Sequence, residues 1–293
     1  MFDFISHRKI FFSISAVLTL VSVFSIIFFG LKPGIDFTGG TMMEIEYPDK
    51  ILTNAEIKGK LSSFDEIGQV QVQATGENGF ILRFKEIDEK IHQEILKALE
   101  NPEEKRFETI GPVIGQELTR KAKEAVILAL IAIILYIAWA FRKLSRIFGK
   151  GESWRYGLGA LLALFHDVII LVGFFSLLGV LKGVEIDTAF ITAILIVLGY
   201  SVNDTVVVYD RIRENLLTYH SKDLASTINL SINEVLVRSL NTTLTTILVL
   251  LVIYLFGGAS IKNFTLAMMI GIGIGAWSSI AIASPFLLFK RKK

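Results

Sequence analysis

Six stretches of this chain are long and apolar enough that water is not a suitable solvent for them. A helix of about 20 apolar residues spans roughly 30 Å of hydrocarbon. The stretches cover residues 10–29, 125–141, 157–181, 188–209, 239–256 and 264–289, the second being short. In a chain that is 52% hydrophobic and only 20% charged, that distribution predicts an α-helical integral membrane protein with six transmembrane helices.

Basic residues collect in cytoplasmic loops and at cytoplasmic span ends, and here they alternate along the chain. Arg8 and Lys9 precede the first run, and Arg142, Lys143, Arg146, Lys150 and Arg155 separate the second from the third. Arg211, Arg213, Lys222 and Arg238 lie between the fourth and fifth, and Lys290, Arg291, Lys292 and Lys293 end the sequence. Both termini are therefore expected on the cytoplasmic side, with residues 31–124 outside. The first run is longer than a secretory h-region and no small-x-small cleavage pattern follows it, so it reads as a retained anchor. Ser15, Thr19 and Ser22 share one of its helical faces, which suggests packing against other helices.

There is no cysteine, which removes disulfides, thiolate metal sites and cysteine nucleophiles. The formal charge of +2 conceals a split, with 13 Lys/Arg against 18 Asp/Glu in residues 31–124 and about +7 on the remainder. The excess positive charge follows topology, so no nucleic-acid partner is implied.

The external segment has its own pattern. Residues 41–47 read as a strand, and Thr53 followed by Glu56 reads as a capped helix start. Residues 69–73 and 80–84 form an expected hairpin around Glu77-Asn78-Gly79. A helix over 89–99 presents Ile91, Ile95 and Leu99 on one face, and a last strand falls at 105–110. The order βαββαβ is that of a ferredoxin-like split βαβ domain. Its acids are scattered without metal-ligand spacing and read as a solvated surface. The expected organisation is 1–30 for the N-terminus and first span, 31–124 for the external domain, and 125–293 for the other spans with their cytoplasmic loops and basic tail.

Within the fourth run stands Asp204. An aspartate at mid-bilayer is unfavourable by about 2.5 to 3.5 kcal/mol, so such acids face a bundle interior and carry a function more often than not. At 1.5 Å per residue it should lie about three-quarters of the way to the cytoplasmic side. Burial raises a carboxyl pKa and a nearby cation lowers it, so an acid with a movable partner can exchange a proton near neutrality. Asn203 can donate to it or to a neighbouring helix. In the third run His166 and Asp167 sit among Gly159, Ala163 and Gly173, either as part of a proton path or as interhelical hydrogen-bonding groups. Arg238, Asn241, Thr242 and Thr245 share a stripe that a helix would turn inward. By position alone Arg238 reads first as a headgroup anchor, its long stem reaching the cytoplasmic surface. Gly271-Ile-Gly-Ile-Gly275 is a packing face, because no strand precedes it and no acid follows.

After the first run comes Gly34-Ile-Asp-Phe-Thr-Gly-Gly40. With Gly199-Tyr-Ser-Val-Asn-Asp-Thr-Val-Val-Val-Tyr-Asp-Arg-Ile-Arg-Glu-Asn215 and Arg238-Ser-Leu-Asn-Thr-Thr-Leu-Thr-Thr246, it resembles the SecF family of the bacterial Sec protein-export machinery. The resemblance covers nearly the whole chain and places it in the resistance-nodulation-division superfamily. It implies six spans forming half of a transporter core, set in the bacterial inner membrane. It also implies use of the proton-motive force, with SecD, to assist late translocation of a polypeptide delivered by the SecYEG channel, with YajC and YidC as further candidate partners. It makes Arg238 the partner of Asp204 in a proton pathway that includes Asn203, Asp167, His166, Asn241 and Thr242. Gly34, Asp36, Gly39 and Gly40 become a mechanical joint, for which a plain turn is the competing reading.

No phosphate-binding Gly-x-x-x-x-Gly-Lys-Ser/Thr loop is present, so no ATPase is recognisable, and no cofactor is expected. Three other functions stay open. A half-size proton-coupled exporter of small molecules or lipids would need a larger porter domain. An intramembrane enzyme built on His166-Asp167 lacks the usual nucleophile and metal motifs, so no enzymatic activity is expected. A non-motor assembly subunit is the third.

Overall fold

The computed structural model describes residues 2–48, 50–76, 78–140, 142, 152–219 and 223–289. The basic residues Lys143, Arg146, Lys150, Lys222 and Lys290 to Lys293, and the turn residue Glu77, lie outside the described residues.

Two compact units form. One contains residues 1–31, 125–184 and 189–293, and the other residues 32–124 together with 185–188. Five helices among the described residues are long and apolar enough to cross a membrane, so the chain is a multi-pass membrane protein. They lie in α1 (Arg8–Phe29), α6 (Glu152–Lys182), α7 (Thr188–Tyr219), α8 (Leu224–Phe256) and α9 (Ala259–Ser278) with its continuation. The short second run of the sequence occupies the C-terminal part of α5 (Pro112–Ala140).

The helices run past the apolar stretches that announce them. α7 continues ten residues beyond Tyr209, and α8 starts at Leu224, where the Asp223 carboxylate accepts from the N–H groups of Ala225 and Ser226 at 3.1 and 3.2 Å. These extensions are amphipathic, and their charged faces dilute the hydropathy that marks a span. Arg238 therefore sits near the middle of α8 rather than opening it, and Asp204 is close to the midpoint of α7.

Packing in this unit inverts that of a water-soluble protein. On α1 the buried side chains are Ser15, Ser22 and Ser25, while Leu20, Ile27 and Phe28 are bare. The indole N–H of Trp277 donates to Ser15 Oγ at 3.1 Å, and Ser25 Oγ donates to Ser176 Oγ at 3.1 Å. Small residues permit these approaches. A Cβ at Gly173 would lie 2.3 Å from Ser22, and one at Gly159 2.4 Å from the Tyr209 hydroxyl. α9 gives way to a π-helical turn, Ser279–Ala283, before α10 (Ser284–Phe286). Pro285 there lacks the N–H that a regular helix would need, and Ser279 O accepts both the backbone N–H of Ser284 and its hydroxyl, the latter at 2.7 Å.

The second unit holds an antiparallel sheet in the order β2-β3-β1-β4, made of β1 (Gly40–Glu46), β2 (Gln71–Thr75), β3 (Gly79–Phe84) and β4 (Glu103–Ile110). Central β1 pairs Met43 with Leu82 on one side and with Phe107 on the other. Alternation sends Thr41, Met43 and Ile45 into the interior. They meet Ile57 and Leu61 from α3 (Asn54–Leu61) and Ile95 from α4 (Glu89–Ala98), with Leu99 just beyond it. The predicted cap on α3 is a reciprocal box, since Thr53 N–H donates to Glu56 Oε2 at 2.7 Å and Glu56 N–H to Thr53 Oγ1 at 3.3 Å. Two pieces escaped the sequence, the one-turn α2 (Ile35–Thr38) and a 3-10 turn at Asp65–Ile67. That turn displaces β2 by two residues from the expected 69–73.

Candidate proton site and domain joint

Two carboxylates are buried in the helical unit, and their surroundings differ. Asp167 on α6 is 0% exposed and Asp204 on α7 is 5% exposed. Asp167 Oδ1 lies 2.9 Å from His166 Nδ1, and Oδ2 accepts from Ser201 Oγ at 2.6 Å and Ser278 Oγ at 2.8 Å. Three helices thus converge on one carboxylate. The glycine stripe of α9 makes this possible, because Cβ atoms at Gly271 and Gly275 would come within 2.4 Å of Val197 and 2.9 Å of Ser201. Ser278 is one turn further along the face that those glycines press onto α7. With Nδ1 turned to the carboxylate, His166 Nε2 is buried and has no hydrogen-bond partner among the described residues.

Beside Asp204 stands the Ser239 hydroxyl of α8, itself buried. Asn203 is exposed, since successive helical residues point about 100° apart. The same rotation corrects the expected pair. Ser239 faces Asp204, so Arg238 is turned away, and among the described residues its side chain makes no ion pair. Arg238 lines a cleft of about 500 Å³ with Val206, Asp210, Arg211, Glu214 and Glu234. Arg211 lies 2.6 Å from Glu214 and 2.7 Å from Glu234, Arg213 lies 2.7 Å from Asp210, and Asn215 donates to Glu234 at 2.6 Å. Asn241, Thr242 and Thr245 are exposed with Arg238, so their stripe faces away from this chain's own helices. Thr242 and Thr245 return their hydroxyls to Arg238 O and Asn241 O, both at 2.8 Å.

The residues after α1 belong to the other unit. Gly39 and Gly40 have φ of +74° and +126°, where a side chain is strained, and Cβ atoms there would lie 2.9 Å from Pro112 Cα and 2.8 Å from Phe84 O. Gly34 N–H donates to Ile186 O and Ile186 N–H to Lys32 O, both at 2.8 Å. Asp36 Oδ2 accepts the Thr188 N–H at 2.7 Å and its hydroxyl at 2.6 Å. Arg83 Nε stands 2.8 Å from Glu185 Oε2, close enough for an ion pair though not aligned as a hydrogen bond. Arg83 Nη1 also donates to Gln73 Oε1 at 3.1 Å. Burial pushes the Glu185 carboxyl above its usual range, opposed by Arg83 and Lys32, and lowers the Arg83 guanidinium, opposed by Glu185.

Sequence reasoning reached Asp204, Asp167 and the glycines but not Ser201, Ser239, Ser278, Arg83 or Glu185. A single serine in a span, unlike the stripe of Ser15, Thr19 and Ser22 on α1, does not say which residue it will meet. Its partner is identified only by which helices meet.

A multi-pass helical protein with acids buried between its spans and an α+β domain inserted after the first is, as a class, a transporter-like membrane subunit. Residues 90–293 match the family described as "Protein export membrane protein SecD/SecF, C-terminal", and residues 24–47 match the "SecD/SecF GG Motif". The chain belongs to the SecD/SecF family. It is 39% identical to the protein translocase subunit SecF of Thermobaculum terrenum, over 98% of this chain and 93% of that one. It is 37% identical to the SecF subunit of Anaerolinea thermophila, over 98% and 94%. The crystal structure of SecDF from Thermus thermophilus, titled a translocon-associated membrane protein, aligns with a TM-score of 0.81 at 32% identity. That alignment covers 98% of this chain but 38% of the solved one.

Proposed function

We propose that this chain is a SecF subunit that works with SecD, in the bacterial inner membrane, to draw on the proton-motive force for late protein translocation. The observation that carries the reading is Asp204, an acid buried in a span beside the Ser239 hydroxyl and with no ion pair among the described residues, in a chain related to SecF subunits over 98% of its length. Such a group can be charged or neutral at different points of a cycle without dismantling a bonded network. One proton crossing 100 mV releases about 2.3 kcal/mol, which biases a two-state movement roughly fifty-fold since about 1.4 kcal/mol is tenfold.

In this proposal six spans form half of a resistance-nodulation-division core, counting residues 125–141 as the second span. Both termini are cytoplasmic, and residues 31–124 form a ferredoxin-like external domain, a label supported by the sheet order. The bare polar stripe of Arg238, Asn241, Thr242 and Thr245 is the seam that SecD covers, and Arg238 reaches Asp204 in another conformation of the assembled complex. Asn203 lies along the same route. Asp167 and His166 hold the bundle beside it. SecYEG delivers the polypeptide, with YajC and YidC as accessory partners, and Gly34, Asp36, Gly39 and Gly40 make the joint.

The test is gradient-dependent release of a secreted substrate from spheroplasts. Asp204→Asn, which mimics the protonated acid, should stop release at normal protein level and SecD association, and Asp204→Glu should retain more of it. Normal release by Asp204→Asn would leave a non-motor assembly subunit as the better reading. Orientation is tested in a chain with no cysteine: an impermeant thiol reagent on intact cells should label Asn101→Cys and miss Lys222→Cys.

A further inference from the structure

The residues that precede α1 are bound to α8 through their backbone. Asn233 Oδ1 accepts the Phe2 N–H at 3.0 Å and its Nδ2 donates to Phe2 O at 2.8 Å, the two bonds that a neighbouring strand would supply. Asn229 Oδ1 accepts the Phe4 N–H at 2.8 Å. Four residues of helix advance roughly 6 Å, and two residues of chain reach at most about 7 Å, so the asparagines are spaced to hold alternate residues of this segment. Its aromatic side chains then form a row. Phe2 and Phe4 meet edge to face with centroids 4.7 Å apart, Phe4 lies 6.2 Å from Phe11, and Phe11 lies 5.3 Å from Trp277 of α9. With Leu236 and Leu240 they wall a chamber of about 570 Å³. Ser239 and Thr243 of α8 bring hydroxyls to it. Ser239 is the neighbour of Asp204, and Thr243 Oγ1 is buried with no hydrogen-bond partner among the described residues.

We propose that residues 2–7 are a lid on this chamber, held shut by Asn229 and Asn233 as positioning residues, and that its opening admits the water through which protons pass between the cytoplasmic side and Asp204. The proposal rests on the proton-driven reading given above, which puts the N-terminus in the cytoplasm. Aromatic and aliphatic walls disfavour water, so a closed lid keeps the Ser239 side of the acid dry. Water entering past a displaced Phe2 and Phe4 meets the hydroxyls of Thr243 and Ser239, one turn apart on α8, and the second of these already touches Asp204. Asparagine suits such a latch, because its amide binds backbone groups and leaves no charge stranded in apolar surroundings when the bonds break. All three backbone bonds come from two side chains, so replacing both frees the lid without altering the residues that wall the chamber.

The test uses the full chain with its SecD-like partner in inverted membrane vesicles, whose cytoplasmic face is outward. The chain has no cysteine, so Ala276→Cys on the chamber wall reports water entry through its rate of reaction with an impermeant thiol reagent, a reaction of the thiolate. Adding Asn229→Ala with Asn233→Ala should raise that rate roughly tenfold, as expected when several bonds of modest worth are lost together. It should also speed the collapse of an imposed proton gradient. Asp204→Asn in the same background should return the collapse to the parent rate while labelling stays fast. Parental labelling in the clamp variant, or fast labelling without a leak that Asp204→Asn removes, would overturn the lid. A lock gives a second measurement that does not depend on the alanine variants. Phe4→Cys with Asn229→Cys keeps Asn233 in place, and oxidation to a disulfide should stop gradient-dependent release until a thiol reductant is added. Full release from the cross-linked form, in a chain that Asp204→Asn blocks, would equally overturn the lid. If Asp204→Asn removes the leak yet by itself releases substrate normally, the motor reading fails and the lid stands as a gate on proton passage.

Discussion

Asp167 and Asp204 stand on neighbouring helices in the same bundle, and both are removed from solvent. The first is enclosed by two hydroxyl donors and a histidine, and the second meets one hydroxyl. Burial alone therefore does not distinguish the two acids. What separates them is how many bonds must be broken when the proton count changes. A carboxylate with three partners must rearrange several bonds when its proton count changes, since each is an ionic hydrogen bond while the group is charged. One with a single partner can change state with little rearrangement, and the helix bearing its Ser239 neighbour has much of its surface bare of this chain's own residues.

The largest effects should come from making both acids neutral. Asp204→Asn is expected to reduce gradient-dependent release by at least tenfold, a barrier change of about 1.4 kcal/mol or more, with the thermal midpoint of the purified complex unchanged. Asp167→Asn should do the opposite. Both serines donate to one oxygen, which the amide can keep in place, so its nitrogen replaces the oxygen beside His166 Nδ1 and the ionic hydrogen bonds of the site become neutral ones, costing about 1–3 kcal/mol. Thermal unfolding monitored by size-exclusion chromatography would show this as a lower midpoint and a lower yield. An exchange of these phenotypes would break the distinction between the two sites.

Next comes the packing that delivers Ser278 to Asp167. Gly275→Val places a branched side chain where even a Cβ is 2.9 Å from Ser201, and overpacking of this kind costs about 1–3 kcal/mol. Gly199→Ala, with nothing within 4 Å of its Cβ, should be neutral in the same assay. Equal losses would mean that close helix approach is not what builds the Asp167 network. Ser201→Ala sharpens the comparison at smaller scale. Removing one of several donors should cost about 1 kcal/mol in stability and leave release unaltered, while Ser239→Ala should move the pH dependence of release at constant stability.

The smallest effect belongs to an acid in water. Glu100 is held down to about 2 by hydrogen bonds from Lys50 and Lys60. Because its folded value lies below its unfolded one, its contribution to domain stability is complete above the ordinary carboxylate range and disappears as pH falls toward 2. Glu100→Gln should therefore flatten the acid side of the domain's stability profile slightly, as measured by urea unfolding between pH 5 and about 2, with screening by water keeping the change small.

Much of the architecture was legible from local pattern. Twenty-residue apolar runs identify membrane helices because hydrocarbon tolerates little else, and alternation at Thr41, Met43 and Ile45 identifies a half-buried strand. Thr53 with Glu56 marks a helix start because their mutual bonds need only three residues of separation. Asp204 was visible as an exception within its run, and Gly271 with Gly275 as a packing face. Arg238 was expected to face Asp204 because its stripe is polar and polarity in a span suggests an inward face, yet among the described residues no helix of this chain covers that face.

The sequence by itself determined that the chain lives in a membrane, that an α+β domain follows the first apolar run and which two acids stand in the later runs. Those are consequences of solvent preference and short-range geometry. Tertiary structure decided which acid is fully bonded, which face Arg238 takes and that residues 185–188 fold with the domain. Ser201 and Ser278 reach Asp167 across 34 and 111 residues of chain. Such partners are selected by how close two helices come, and that distance is set by small residues packed against one another rather than by any pattern within a single segment.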